Sequence, residues 1–165
     1  MLNGKSLGRK PNPKEAKLRN QIRWGETDYK KGKLEAVAYK NGKAVARHAI
    51  ETTGKAVKLI AEPDNSQWTA DGTDLQHVRI TAVDSKGRRC LPADDELTFE
   101  VEGDARIVAV TNGDISSEEL NVTNRRRLWQ GQAMVILRSG RQASKITLTS
   151  KPKAFKDIIT KLETQ

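Results

Sequence analysis

The 165-residue sequence contains few of the residue types from which catalytic sites and large apolar pockets are built. Aromatic residues make up 4% of the chain, there are two histidines, and Cys90 is the single cysteine. One cysteine cannot form a disulfide within the chain, and so low an aromatic content argues against a deep aromatic-lined pocket. No apolar run approaches the roughly 18 residues of a membrane span, and the first residues lack the apolar region of a signal peptide. The sequence therefore predicts a soluble chain with no membrane partner.

Positive charge predominates, and it is concentrated in the first third of the chain. Lys and Arg number 30 against 21 Asp and Glu, a formal charge of +9. Residues 1–60 carry 15 basic and 5 acidic side chains, whereas residues 61–150 carry 11 and 14. The change coincides with Pro-Asp-Asn-Ser at residues 63–66, a cluster of turn-forming residues. We therefore predict two domains, residues 1–60 and 61–165.

Apolar and polar residues alternate in short runs bounded by turn residues, a pattern that indicates β-strands. In the first domain, Leu34–Tyr39 and Ala44–Ile50 flank Asn41-Gly42. Asn-Gly suits the two left-handed positions of a type I′ turn, so these runs predict a β-hairpin. Asn3-Gly4 predicts a second turn of this kind.

Seven such runs in the second domain predict a β-sandwich. Phe155, Ile158, Ile159 and Leu162 in the last run also fit an amphipathic helix, but the β-branched pair and the need to cover a sheet edge favour a strand. The predicted strands are Val57–Ala61, Gln76–Asp84, Glu96–Glu102, Arg106–Thr111, Trp129–Arg138, Lys145–Ser150 and 156–162. The predicted core residues are Val78, Ile80, Ala82, Leu97, Phe99, Val101, Ile107, Val135 and Leu137.

Convergent reactive groups are not evident in the sequence. His48 and His77 have no partners at metal-ligand spacing, and Cys90 has no histidine near it in sequence. Adjacent carboxylates in a polar loop, such as Asp94-Asp95, are usually solvated rather than placed across a cleft. We therefore predict no catalytic residues, no metal site and no cofactor in this chain.

A resemblance to a known family begins at Trp24 with W-G-E-T-D-Y-K-K-G-K-L-E-A-V-A-Y. This run resembles a C-terminal Ig-like module of the β-galactosidase group of glycoside hydrolase family two, and the opening L-N-G-K-S-L-G-R-K resembles the hairpin before it. The bacterial Ig-like domain that follows in those enzymes is similar to T-A-D-G-T-D-L-Q-H-V-R-I-T-A-V-D, L-T-F-E-V-E-G-D-A-R-I-V-A-V-T-N-G-D and E-E-L-N-V-T-N-R-R-R-L-W-Q-G. These segments keep their order and spacing over almost the whole chain.

The resemblance implies an all-β fold of two tandem immunoglobulin-like β-sandwich modules, the first truncated at its N-terminus. It also implies that the catalytic barrel and its carboxylates lie in a preceding part of a longer hydrolase. The chain is then expected to be a non-catalytic accessory region in carbohydrate metabolism, with the catalytic and other domains of that hydrolase as partners and a periplasmic or secreted location. Residues 1–23 are expected to be disordered or to borrow a strand edge from another copy.

Two groups of side chains are candidate sites. Trp68 lies in a polar loop with Asn65, Gln67 and Asp71, which predicts either a carbohydrate-binding site that tethers the enzyme to polysaccharide or a plug at one end of the sandwich. Trp24 and Trp129 are predicted to be core anchors. The second group predicts a long loop pinned to the sandwich by hydrogen bonds and ion pairs, with a weak cation site as the alternative, and comprises Asn112, Asp114, Glu119 and Arg126.

A hypothesis from another class is electrostatic binding of the basic first domain to nucleic acid or another anionic polymer. Lys30, Lys31 and Lys33 supply charge, but turn residues interrupt the lysines and no aromatic array accompanies them. A solvated surface is the favoured explanation, so a nucleic-acid partner is not expected.

Overall fold

A computed structural model describes residues 1–15, 17, 21–25 and 27–165 of the chain. They form several antiparallel β-sheets in two units, Met1–Thr52 (the N-terminal unit) and Thr53–Gln165 (the C-terminal unit). The predicted all-β class is therefore confirmed. No helix in the described part of the chain is long and apolar enough to cross a membrane.

The N-terminal unit is built on the predicted hairpin. Strands β1 (Lys33–Lys40) and β2 (Lys43–Glu51) pair antiparallel, with an irregularity in register after Ala38. Asn41 and Gly42 have φ of 50° and 77°, as a type I′ turn requires, so the predicted hairpin is confirmed. The Asn3-Gly4 turn is also present, closed by backbone hydrogen bonds in both directions between Leu2 and Lys5.

The start of the chain extends the β1–β2 sheet. Met1 and Glu35 exchange backbone hydrogen bonds, and Leu2 forms a bridge with Leu34. The segment predicted to be disordered or to borrow a strand edge from another copy, residues 1–23, includes residues 16 and 18–20, which lie outside the described residues. Both alternatives therefore stay predictions.

The C-terminal unit contains two four-stranded antiparallel sheets that enclose the hydrophobic core. One sheet has the strand order β3-β4-β8-β6 and the other β10-β9-β5-β7. The eight strands are β3 (Lys58–Pro63), β4 (Leu75–Val83), β5 (Glu96–Glu102), β6 (Ala105–Thr111), β7 (Arg125–Arg127), β8 (Gln132–Ser139), β9 (Lys145–Pro152) and β10 (Ile158–Glu163). The predicted strands are confirmed apart from shifts at their ends, β7 was not predicted, and the ambiguous last segment is a strand that pairs with β9.

Alternation within the strands places the predicted core residues on the inner faces. Seven of the nine are buried: Val78, Ile80, Ala82, Leu97, Phe99, Val135 and Leu137. Val101 and Ile107 are partly buried and pack against this cluster. The core therefore lies between the two sheets, with Trp68 as its largest fully buried side chain.

The division between the units lies at Thr52/Thr53, while the domain boundary predicted from charge lies at residue 60. That residue is Ile60, in the middle of β3, which pairs along its whole length with β4. The charge break therefore lies within the C-terminal unit, because a strand that completes a sheet belongs to the domain whose sheet it joins.

Candidate functional site

Trp68 closes one end of the sandwich in the C-terminal unit. Its side chain is 1% exposed, and its indole N–H donates a hydrogen bond to the Asp74 carbonyl at 3.1 Å. Its backbone forms a parallel bridge with Thr164, and its carbonyl accepts a hydrogen bond from the backbone N–H of Gln165. Stacking on a sugar needs an exposed indole face, and Trp68 offers none in this arrangement.

Two of the polar side chains predicted to accompany Trp68, Asn65 and Asp71, accept hydrogen bonds from the backbone of their own loop. The Asn65 side-chain oxygen accepts the backbone N–H of Gln67 at 2.9 Å, and Asp71 Oδ1 accepts those of Thr73 and Asp74 at 2.7 Å. The bonds from Thr73 and then Asp74 lower the pKa of the Asp71 carboxyl. These contacts are those of Asx turns, which shape a loop without any ligand.

The prediction that Trp24 and Trp129 are core anchors is wrong. Their side chains are 42% and 38% exposed. Trp24 donates its indole N–H to the Gly8 carbonyl at 3.3 Å, and Trp129 begins a tight turn closed by backbone bonds with Gln132. A turn at the end of a sheet projects its side chains away from the core, which explains the exposure of Trp129.

The histidines and the cysteine of the described part of the chain do not join a group of possible metal ligands. Among the described residues no three His, Cys, Asp or Glu side chains gather where they could hold a metal ion. His77 contacts Asp64 through its Nδ1 at 3.0 Å, and Cys90 is buried, with its thiol 3.5 Å from the Gly54 carbonyl. These are isolated pairs within the fold.

The second predicted group, Asn112, Asp114, Glu119 and Arg126, is brought together where the chain passes from β6, the edge strand of one sheet, to β7, the edge strand of the other. Residues 112–124, which we call the edge loop, connect β6 to β7, and Arg126 of β7 lies beneath them with 3% exposure. The Arg126 guanidinium donates hydrogen bonds to the Glu119 carbonyl at 3.0 Å, to Asn121 Oδ1 at 3.1 Å and to Asn112 Oδ1 at 3.0 Å. Its Nε lies 3.6 Å from Glu119 Oε2.

Further hydrogen bonds join residues of the edge loop to one another and to Arg127. Asp114 Oδ1 accepts the hydroxyl and the backbone N–H of Ser116, and these bonds lower the pKa of the Asp114 carboxyl. The Asn112 amide donates to the Arg127 carbonyl at 2.9 Å, and the Arg127 N–H donates to Glu119 Oε1 at 3.3 Å. Asn112, Asp114, Glu119 and Arg126 therefore form one internal network, in which two carboxylates are engaged by protein donors.

The most strongly perturbed carboxyl group lies where the chain enters the C-terminal unit. Asp84, just after β4, is buried and accepts hydrogen bonds from the Arg88 guanidinium at 2.7 and 2.9 Å and from the backbone N–H groups of Gly54, Lys86 and Arg88. The Arg88 guanidinium, followed by the Gly54 N–H, holds the pKa of Asp84 well below its ordinary value of 3.8. Asp84 thus fastens residue 54 to the end of β4.

Loss of the Asp84 carboxylate is expected to make the C-terminal unit less stable in a pH-dependent way. Because the folded-state pKa lies below the unfolded value of 3.8, the stabilisation is complete above that value and is lost as the pH falls through the folded-state pKa. We expect Asp84→Asn to unfold at lower urea concentration than the unmutated chain at neutral pH. The difference in urea midpoint between Asp84→Asn and the unmutated chain should become smaller as the pH falls from about 5 to about 2.

Urea titrations at several pH values measure this effect, with Asp94→Asn as the control because its carboxylate is largely exposed. We expect that control to change stability little at neutral pH. A gap between Asp84→Asn and the unmutated chain that widens toward low pH would contradict the assignment.

The C-terminal unit has two sheets, an end closed by Trp68 and an internally bonded edge loop. Comparisons with known proteins assign the chain to a family. Residues 59–158 match the model of the glycoside hydrolase family 2 C-terminal domain 5, and residues 1–46 match a domain of unknown function, DUF4982. The chain belongs to glycoside hydrolase family 2 and comprises C-terminal domains of such a hydrolase.

Individual relatives show how much of a hydrolase these domains represent. The chain is 31% identical to the β-galactosidase BoGH2A of Bacteroides ovatus, over 99% of this chain and 19% of the relative. A solved family 2 member from Bacteroides cellulosilyticus shares 36% identity with a TM-score of 0.93, over 100% of this chain and 21% of that chain. A β-glucuronidase of Formosa agariphila is 28% identical over 98% of this chain and 16% of the relative. The chain therefore spans about a fifth of the length of the relatives it matches.

Proposed function

We propose that this chain is the non-catalytic C-terminal accessory region of a longer β-galactosidase-like glycoside hydrolase, here called the parent hydrolase. The observation that carries the proposal is the match of 99% of the chain to 19% of a β-galactosidase. The internal use of the polar clusters supports it, since Arg126, Asp84 and Asp71 bond to protein groups that shape the fold. The proposed role is to pack against the catalytic part and stabilise it.

We propose further that the C-terminal unit is an immunoglobulin-like sandwich. The strand order across each sheet supports this. In one sheet β3, β4, β8 and β6 occupy the places of strands A, B, E and D, and in the other β5, β9 and β10 occupy those of C, F and G. The strand β7 adds a short fourth member beside β5. A periplasmic or secreted location stays a prediction that cell fractionation of the parent hydrolase would test.

Removal of residues 1–165 from the parent hydrolase tests the accessory role. We expect the truncated enzyme to lose thermal stability, with a fall in Tm of at least about 4 °C, because a domain interface of about 600–1,500 Å² would be lost. Hydrolysis of nitrophenyl β-galactoside should persist at temperatures where the remainder stays folded. Nitrophenyl β-glucuronide is the comparison substrate, since one relative is named a β-glucuronidase.

Two results would contradict the proposal. An unchanged Tm and inactivation rate after truncation would show that the region does not stabilise the catalytic part. Hydrolysis of either substrate by the 165-residue chain alone would show that the chain is catalytic.

A further inference from the structure

The edge loop has three polar side chains turned inward to Arg126 and its three large apolar side chains exposed. Asn112, Asp114 and Glu119 are half-buried around Arg126, as described above. Ile115 is fully exposed, and Leu120 and Val122 are largely exposed. Water-facing loops ordinarily have the opposite arrangement, so this pattern needs an explanation.

The exposure of these three side chains is built into a bonded loop. Besides the contacts with Arg126, the Val110 N–H donates to the Asn121 carbonyl at 2.8 Å and the Phe99 N–H donates to the Asn124 carbonyl at 2.7 Å. The Asn124 side-chain amide donates a hydrogen bond to the Phe99 carbonyl at 3.3 Å. The second half of the loop is thus fastened to both β5 and β6, and Leu120 and Val122 flank one of the fastened residues.

The central part of a protein interface is richer in apolar area and poorer in charged residues than the rest of the surface. We define Ile115, Leu120 and Val122 as the edge-loop surface.

We propose that the edge-loop surface is where the C-terminal unit docks onto the remainder of the same parent hydrolase chain, which would cover Ile115, Leu120 and Val122 with apolar side chains of its own. This inference rests on the proposed function. The occupant follows from length, because relatives that match the whole chain have about four fifths of their residues outside the matched region. A free second copy is disfavoured, since stable association of separate molecules needs about 800 Å² per partner, more than three side chains provide. Domains linked in one chain dock through smaller surfaces, because their effective concentration is high.

A photo-crosslinking experiment in the parent hydrolase tests the location. We would introduce p-benzoylphenylalanine at Ile115, irradiate the purified enzyme and identify the joined peptides by mass spectrometry. The expected product joins the edge loop to a peptide that precedes Met1 in the same molecule. The matched control carries the same amino acid at Ile159, an exposed apolar residue on β10 at the opposite edge of the β5-containing sheet, and should give at least about tenfold less of that product.

The double variant Ile115→Glu/Val122→Glu tests the energetic role. In the 165-residue chain alone we expect an unchanged urea midpoint, because both residues are exposed. In the parent hydrolase we expect protease cleavage between the catalytic part and this region to accelerate at least about tenfold, as the docked region detaches.

The outcomes separate this inference from the proposed function. A Tm that falls on truncation, with no crosslink at residue 115 and unchanged proteolysis of the double variant, would leave the accessory role standing and overturn the docking surface. Crosslinks only between two copies would also overturn it. An unchanged Tm on truncation together with the residue-115 crosslink would support docking and overturn the stabilising role.

Discussion

Replacement of Trp68 by alanine is expected to lower the free energy of unfolding of the C-terminal unit by about 3–5 kcal/mol. The indole is fully buried and is the largest such side chain, so its removal leaves a cavity at the end of the core. It also removes one of the two hydrogen bonds to the Asp74 carbonyl, which keeps the one from the Ser139 backbone N–H. Urea unfolding followed by circular dichroism would measure the loss.

Two further tryptophan variants test whether the loss in Trp68→Ala comes from burial of the side chain. Trp68→Phe keeps part of the packing but removes the N–H donor and the volume of the second ring, so we expect a smaller loss of about 1–3 kcal/mol. Trp129→Ala removes the same side chain from an exposed turn and should cost less than about 1 kcal/mol in the 165-residue chain. Equal losses at residues 68 and 129 would show that the two indoles do not differ in burial as described.

Replacement of Arg126 by methionine is expected to destabilise the C-terminal unit by about 2–4 kcal/mol. Methionine retains much of the aliphatic volume but leaves three oxygen acceptors, on Asn112, Glu119 and Asn121, without their charged donor. The edge loop should loosen as well, which hydrogen exchange at the backbone amides of Asp114 and Ser116 would detect.

The neighbouring arginines are matched controls for Arg126. Arg125→Met and Arg127→Met change exposed side chains on the same short strand, and each is expected to shift stability by no more than about 0.5 kcal/mol. Arg126→Lys keeps the charge but lacks the planar set of donors. Its loss of stability should lie between that of Arg126→Met and those of the two control variants. A uniform effect across residues 125–127 would exclude a special role for the central arginine.

Local patterns allowed much of the fold to be predicted from the sequence. Asn41-Gly42 specifies its turn through backbone conformation, and alternation along residues 76–84 and 96–102 places Val78 and Phe99 on inner faces. Strand β7 was missed because Arg125–Arg127 contain no apolar residue, and a charged strand is recognisable only once the acceptors around Arg126 are known. Those acceptors come from a loop that the sequence alone could not position.

The candidate sites show the same limit. The sequence placed Asn112, Asp114, Glu119 and Arg126 in one group, because a long polar loop followed by arginines predicts internal bonding. It did not distinguish the three tryptophans correctly, since burial depends on which loops fold back over the sheet ends. Trp68 is covered because residues 164–165 return beside it, a contact between distant parts of the chain. The outward apolar residues of the edge loop could have been noticed in the sequence, where Ile115, Leu120 and Val122 interrupt an otherwise polar segment.

The bridge between Trp68 and Thr164 also bears on the order of events during synthesis. Trp68 leaves the ribosome long before Thr164, and in the folded domain a backbone bridge joins the two residues. The nascent chain therefore cannot form this contact until β10 and the residues after it have emerged. Pairing between such distant segments slows folding in general. The interval before closure is thus when this domain is most exposed to aggregation and most in need of chaperone protection.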